Sequence, residues 1–155
     1  MNTHLELRTR VRAGVQYPNG TYKSERHFLD FIVDGQSLWE VLRRPDMVSV
    51  LCSEYAKDEV VKAVRRLLLD EKADLPNDRR SLFVCSECGD LGCGAITVVV
   101  ERRGDTFTWN AFGYENNYEQ AVSLDAYNSV GPFTFDATEY ESRLRQAIQL
   151  DLADS

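Results

Sequence analysis

Residues 95–112 read AITVVVERRGDTFTWNAF, and this stretch decides the fold. An apolar run rich in β-branched residues ends at Glu101, a Gly-Asp pair follows at positions 104 and 105, and a second β-rich run begins at Thr106. Two β-rich runs around such a turn signal are typical of an antiparallel hairpin. The stretch therefore predicts the central hairpin of an antiparallel sheet.

The hairpin is preceded by CSECGDLGCG at residues 85–94, which holds three of the four cysteines of the chain. Its glycines at 89, 92 and 94 allow backbone conformations that a side chain would forbid. We expect a tight loop that leads into the first strand of the hairpin.

The N-terminal part of the chain predicts a second antiparallel hairpin. Residues 4–16 alternate between apolar and polar side chains, a turn signal occupies 17–20, and residues 26–34 are again rich in apolar residues. The polar face of the first strand carries Arg8, Arg10 and Arg12, and Glu6, Asp30 and Asp34 are within cross-strand reach of them. We expect a solvated, partly paired sheet face there.

Three helices are predicted from capping and periodicity. Ser37 lies three residues before Glu40, a capping-box spacing, and predicts a short helix that ends before Pro45. Residues 57–70 have an apolar stripe at helical spacing. Asp136 followed by Glu139 predicts the start of a final helix. Residues 70–80 are expected to form an exposed loop, and residues 113–132 an irregular region with a last strand after it.

These elements predict an α+β fold, with an antiparallel sheet of four to six strands and two longer helices packed on it. A chain of 155 residues with 43% hydrophobic and 28% charged content has the size and composition of one globular domain, residues 1–155. No stretch approaches the length of about 20 apolar residues that crosses a bilayer, and the first residues lack the pattern of a secretory signal. A cytoplasmic protein is expected.

Charge is distributed unevenly along the chain. Residues 1–104 contain 16 acids and 16 bases, whereas residues 105–155 contain 9 acids and 2 bases, so the later part carries the whole net charge of −7. Residues 104–142 include seven acids and no Lys or Arg. Such a segment repels nucleic acid and anionic membranes and attracts cationic partners.

The cysteine-rich loop leaves a metal or thiol function open. Cys85 and Cys88 have the spacing of a zinc knuckle, and Cys93 is a third thiol nearby. A complete site would need a fourth ligand, from Cys52, His4 or His27. The alternative interpretation is a glycine-rich turn with small, partly buried thiols. Catalytic redox chemistry is disfavoured because this Cys-x-x-Cys pair precedes a strand and not a helix.

The segment from Cys88 to Ala95, followed by a Val-rich strand, a Gly-Asp turn and Trp109, resembles a widespread family of small bacterial proteins of unknown function with a CGDxGCG motif. Some members are labelled oxidoreductase, although the motif supplies no nucleotide-binding loop and no acid–base pair. The turn is also similar to that of some immunity proteins that neutralise bacterial toxins. This second resemblance implies a protein partner.

No motif predicts a catalytic site or a cofactor. The chain lacks the phosphate-binding loop, the nucleophile elbow and the HExxH motif. The two histidines, His4 and His27, are expected on the first hairpin, where they can meet across the strands. A sheet histidine is more often structural than catalytic.

The leading hypothesis is therefore a non-catalytic acidic binding protein, an immunity protein that inhibits a cationic bacterial toxin domain. A zinc-binding or thiol-based module that uses Cys85, Cys88 and Cys93 is the alternative. Residues 115–125 are expected at the surface because they are polar and connect the central hairpin to the last strand. The predicted partner contacts are Glu115, Tyr118, Glu119 and Asp125, followed by Tyr114 and Tyr127.

Overall fold

The chain folds into antiparallel sheets and helices, which confirms the predicted α+β class. The computed structural model describes residues 2–16, 18–20, 22–23, 25–43, 47–53, 56–73, 78–85, 94–116, 119–123, 127 and 129–149. At residues 15, 22, 23, 85, 116, 119–123 and 149 it describes the backbone alone.

The elements follow one another in this order along the described residues. The strands are β1 (Leu5–Arg12), β2 (Val15–Gln16), β3 (Tyr22–Lys23), β4 (Arg26–Val33), β5 (Gln36–Ser37), β6 (Met47–Ser49), β7 (Arg79–Cys85), β8 (Ala95–Arg103), β9 (Thr106–Asn116), β10 (Glu119–Ser123) and β11 (Phe133–Asp136). The helices are α1 (Leu38–Leu42), α2 (Lys57–Leu67) and α3 (Ala137–Gln149).

The main sheet has six strands in the order β10-β9-β8-β7-β6, with β11 also paired to β9. Its centre is the predicted hairpin of β8 and β9, which turns at Gly104 and Asp105. Gly104 has a φ of 61°, a conformation that glycine adopts without strain. The sequence therefore predicted the centre of this sheet correctly.

Two boundaries of secondary-structure elements that were predicted from the sequence are wrong. The loop expected over 70–80 ends earlier, because Arg79 and Arg80 are buried residues of β7. The region expected to be irregular after residue 112 continues β9 as far as Asn116 and then contains β10. Both errors arise where strands begin or continue through polar residues.

The first hairpin forms a second sheet in the order β1-β4-β5, with Leu5 opposite Val33 and Val11 opposite His27. Single bridges link the two sheets at both ends, from Thr3 to Phe135 and from Phe28 to Cys52. These bridges connect β11 to a residue just before β1, and β4 to a residue just after β6.

Aromatic side chains fill the core between these strands. The Phe31 ring meets Phe83 edge-on at a centroid distance of 5.8 Å and Trp109 at 5.4 Å. These contacts join β4, β7 and β9. Trp109 also contacts Phe135 and Tyr140, so β11 and α3 share the same cluster.

The helices begin as the sequence predicted. The Ser37 hydroxyl accepts a hydrogen bond from Glu40 N at 3.1 Å at the start of α1, and the Asp136 carboxylate accepts one from Glu139 N at 3.0 Å at the start of α3. Helices α2 and α3 are tied together in the core by Tyr140. Its hydroxyl donates to Leu67 O at 2.6 Å and accepts from Trp109 Nε1 at 2.9 Å. Burial raises the pKa of Tyr140, so the hydroxyl stays a donor.

Candidate functional site

Glu115, the first of the predicted partner contacts, is not a surface residue. Its exposed fraction is 7%, and it lies in β9 opposite Ala95 of β8. The expectation that Glu115 is exposed is wrong, because its carboxylate is hydrogen-bonded inside the protein.

Glu115 belongs to a buried network across three adjacent strands. Its Oε2 atom accepts hydrogen bonds from Arg79 Nε at 3.1 Å and from the Thr97 hydroxyl at 2.8 Å. Arg79 Nε is also 2.9 Å from Thr97 Oγ1. Burial removes water from both charged groups, and the hydrogen bonds between them and to Thr97 compensate for this loss.

The guanidinium of Arg79 also donates hydrogen bonds at a bulge in β9. The pairing of β8 with β9 shifts register between Thr97 and Val99, and Ala111 has a φ of 54°, the left-handed region that side chains disfavour. Arg79 Nη2 donates to Ala111 O and to Thr97 O, the latter at 3.0 Å. These bonds connect β8 and β9 through Arg79 at the position of the bulge.

Burial lowers the pKa of Arg79, and the charge and hydrogen bond of Glu115 act in the opposite direction. Glu115 therefore keeps the guanidinium charged inside the protein. This arrangement is a structural ion pair, in which removal of either partner would leave a buried charge without compensation.

Two of the tyrosines among the predicted contacts, Tyr114 and Tyr127, also lie largely inside the fold. Tyr127 is buried in the core cluster, which contradicts its expected exposure. Tyr114 is half-buried, packs against the core and sits over Gly94, where a Cβ atom would collide with its hydroxyl. Gly94, the last residue of the cysteine-rich segment 85–94, is thus needed for this close approach.

The remaining predicted contacts stay predictions. Tyr118 and Asp125 lie outside the described residues, and Glu119 begins β10, where the backbone alone is described. Cys88 and Cys93 also lie outside the described residues, and Cys85 ends β7. The zinc or thiol alternative is therefore also a prediction.

Two of the three candidate fourth ligands of a zinc site, His4 and His27, are far apart. Cys52 is buried in the core, and His4 and His27 lie at opposite ends of the ladder between β1 and β4. Seven positions along a strand separate them by about 23 Å, so the histidines do not meet. Within the described part of the chain, no three His, Cys, Asp or Glu side chains are grouped to hold a metal ion.

A second carboxylate–arginine cluster, which the sequence only partly predicted, holds α1 against the first hairpin. Asp30 accepts from Arg10 Nε at 3.1 Å, from Trp39 N at 3.1 Å and from the Ser37 hydroxyl. The Arg10 guanidinium also lies 4.9 Å from the Trp39 ring centre and 3.3 Å from Glu40. Cross-strand pairing was predicted, but Asp30 is buried and not solvated.

Burial raises the pKa of Asp30, and the bonds from Ser37, Trp39 and Arg10 only partly offset this effect. Three donors to one carboxylate fix the entry of the chain into α1. The cluster is thus a capping device, like the bond from Ser37 to Glu40.

Exposed and partly exposed acids gather at the start of α3. The turn between β8 and β9 lies against this helix, since Ala137 N donates to Asp105 O at 2.7 Å. Glu139 Oε1 accepts a hydrogen bond from Leu5 N at 3.0 Å, and Glu139 Oε2 lies 3.4 Å from His4 Nδ1. The backbone N–H of His4 donates to the carboxylate of Asp34. We name this region the α3 acidic surface; it consists of Asp34, Asp105, Asp136, Glu139 and Glu141. Arg102 pairs with Glu141 at 3.3 Å and offsets part of its charge.

Comparisons with family models, curated proteins and solved structures found no match. No helix in the described residues is long and apolar enough to cross a membrane.

Proposed function

We propose that this chain is a non-catalytic acidic binding protein, an immunity protein of the bacterial cytoplasm that binds and inhibits a cationic toxin domain. The observation that carries the proposal is the charge distribution, since residues 104–142 contain seven acids and no Lys or Arg. Nucleases and similar toxins need basic clefts for their substrates. An acidic protein is therefore steered onto them over distances longer than direct contact.

Four acids of the α3 acidic surface belong to this segment: Asp105, Asp136, Glu139 and Glu141. Asp105 is exposed, and Glu139 and Glu141 are partly exposed around the same helix start. Glu115 adds to the net charge but not to this surface, because Arg79 neutralises it inside the fold. Tyr118, Glu119 and Asp125 complete the proposed contact set.

Co-expression of the tagged chain with the product of the neighbouring gene tests the proposal. We expect a stable complex with a basic protein and loss of that protein's toxicity. Failure to bind the neighbouring product, together with failure to protect cells from it, would contradict the immunity function.

A matched pair of charge reversals tests the surface. Asp105→Lys with Glu141→Lys should weaken capture at low salt, because both substitutions change the α3 acidic surface. Asp58→Lys with Glu59→Lys makes the same change in net charge at exposed positions of α2. Equal weakening by the two pairs would show that net charge matters and that the α3 acidic surface does not.

A further inference from the structure

In the part of the chain that the structure describes, the outer edge of β1 has backbone groups without a hydrogen-bond partner. Asp34 N donates to His4 O at 3.0 Å, which sets the alternation of the ladder between β1 and β4. Glu6, Arg8, Arg10 and Arg12 then bond to β4, and the residues between them point their N–H and C=O groups away.

Two hydrogen bonds confirm this alternation. Thr3 N donates to Thr134 O at 2.6 Å and Leu5 N to Glu139 Oε1 at 3.0 Å, both on the side away from β4. Farther along the same edge, no described residue pairs with the outward groups of Leu7, Thr9 and Val11. Among the described residues, the edge is thus occupied at Thr3 and Leu5 and has no partner at Leu7, Thr9 and Val11.

Two of the usual protections of an edge strand, a proline and a bulge, are missing from β1, although Glu6, Arg8, Arg10 and Arg12 place charges along it. β1 runs for eight residues without a proline, and its pairing with β4 has no register shift. Val11, with 48% of its surface exposed, is one of two exposed large apolar side chains in the described part of the chain. A strand with open backbone groups and an exposed valine is a template for another strand.

We propose that β1 pairs antiparallel with β1 of a second copy of this chain, around a two-fold axis through Thr9. This register places Leu7 opposite the partner's Val11 and Thr9 opposite the partner's Thr9. All three open residues of each copy then lie in hydrogen-bonded positions, which gives about six new hydrogen bonds. The same register covers Val11 with the partner's Leu7.

The charges of β1 are compatible with this register. Arg8 faces the partner's Arg10, but each arginine already has acids of its own chain nearby. Arg8 lies 3.7 Å from Glu6, and Arg10 lies 3.1 Å from Asp30 and 3.3 Å from Glu40. Their repulsion is therefore reduced, and a self-complementary pattern of this kind produces a closed dimer rather than a chain of copies.

The expected dimer is weak, because a single pair of strands buries less than the roughly 1,200 Å² of a standard interface. We expect a dissociation constant on the order of 100 μM. Sedimentation velocity from about 10 μM to about 1 mM protein should show the shift from monomer to dimer. A chain that stays monomeric throughout this range overturns the proposal.

Two lysine substitutions separate this edge from other surfaces. Val11→Lys should raise the dissociation constant at least tenfold, because it brings like charges to the edge. Val41→Lys changes the other exposed valine, on α1, where 40% of the surface is exposed, and should leave dimerisation unchanged. A dimer insensitive to Val11→Lys would place the interface elsewhere and overturn the proposal.

Thr9→Pro provides a second variant, since proline is tolerated on an edge strand where the N–H faces outward. It removes the central donor and should also abolish the dimer. In the wild-type chain, hydrogen exchange at the Leu7, Thr9 and Val11 amides should slow as concentration rises. The Arg8 and Arg10 amides should be protected at every concentration. Equal, concentration-independent exchange in both sets contradicts pairing at this edge.

Discussion

Two arginine–carboxylate pairs of the same length have different roles in this protein. Arg79 lies 3.1 Å from Glu115, and Arg10 lies 3.1 Å from Asp30. Both side chains of the first pair are buried in the main sheet, where Arg79 also bonds to the bulge of β9. In the second pair Asp30 is buried, but the Arg10 side chain is 27% exposed and reaches Glu40 at the surface. Burial of both charges, and not the distance between them, decides how strongly the stability of the fold depends on an ion pair.

The largest expected effect is the loss of one half of the buried pair. Arg79→Met should lower the free energy of unfolding by about 3–5 kcal/mol, because Glu115 would remain buried without its cation. Urea unfolding measures this loss. A change below about 1 kcal/mol would show that water or another cation reaches Glu115.

The double variant Arg79→Met with Glu115→Leu sharpens the result. Removal of both charges eliminates the uncompensated carboxylate, so part of the stability should return. A double variant that is no more stable than Arg79→Met would mean that the bonds to Ala111 O and Thr97 O, and not the ion pair, are the main contribution of Arg79.

Removal of the charge of Asp30 should have a smaller effect. Asp30→Asn keeps the shape of the side chain, but an NH2 group replaces one of the oxygens that accept hydrogen bonds. The free energy of unfolding should fall by about 1–3 kcal/mol. Burial raises the pKa of Asp30 in the folded protein. The contribution of Asp30 to the free energy of unfolding is therefore complete below the ordinary carboxyl pKa, and it is lost as pH rises through the raised pKa of the folded state. The stability difference between wild type and Asp30→Asn should therefore shrink as pH rises.

Urea unfolding of both proteins between about pH 3.5 and pH 7 tests this sign, since other groups cancel in the difference. A difference that grows as pH rises would contradict it. That result would mean that Arg10 holds the pKa of Asp30 below its ordinary value.

The smallest effect is expected at Glu40, the exposed partner of Arg10. Glu40→Gln should change the free energy of unfolding by less than about 0.5 kcal/mol, because exposed ion pairs are weak. A loss above about 1 kcal/mol in urea unfolding would show that Glu40 helps to hold Arg10 over Trp39.

The two pairs also differ in how far the sequence predicted them. Asp30 follows from the alternation of the first hairpin, which places it within reach of the arginine row. The cap at Ser37, the turn at Gly104 and the start of α3 at Asp136 were likewise predicted from local patterns, and the structure confirms them. Such signals act over a few residues and do not depend on the rest of the fold.

The pair of Arg79 and Glu115 had no local signal. Its residues are 36 positions apart, and they meet because a bulge at Ala111, which lacks the usual glycine, changes the register of β9. Glu115 precedes two asparagines and resembles an exposed turn residue. Tyr127 similarly enters the core from a polar segment. Side chains that become buried through long-range pairing cannot be distinguished from surface residues by composition.

The salt dependence of association with the neighbouring gene product tests the proposed function most directly. At low salt the wild-type chain should associate at about 10⁸ M⁻¹s⁻¹, with a steep decrease as ionic strength rises. Asp105→Lys with Glu141→Lys should slow association and flatten that decrease, whereas Glu40→Gln should follow the wild type. An association rate that is independent of salt, and unchanged by the Asp105 and Glu141 reversals, would contradict the proposal that this protein recognises its partner by acidic charge.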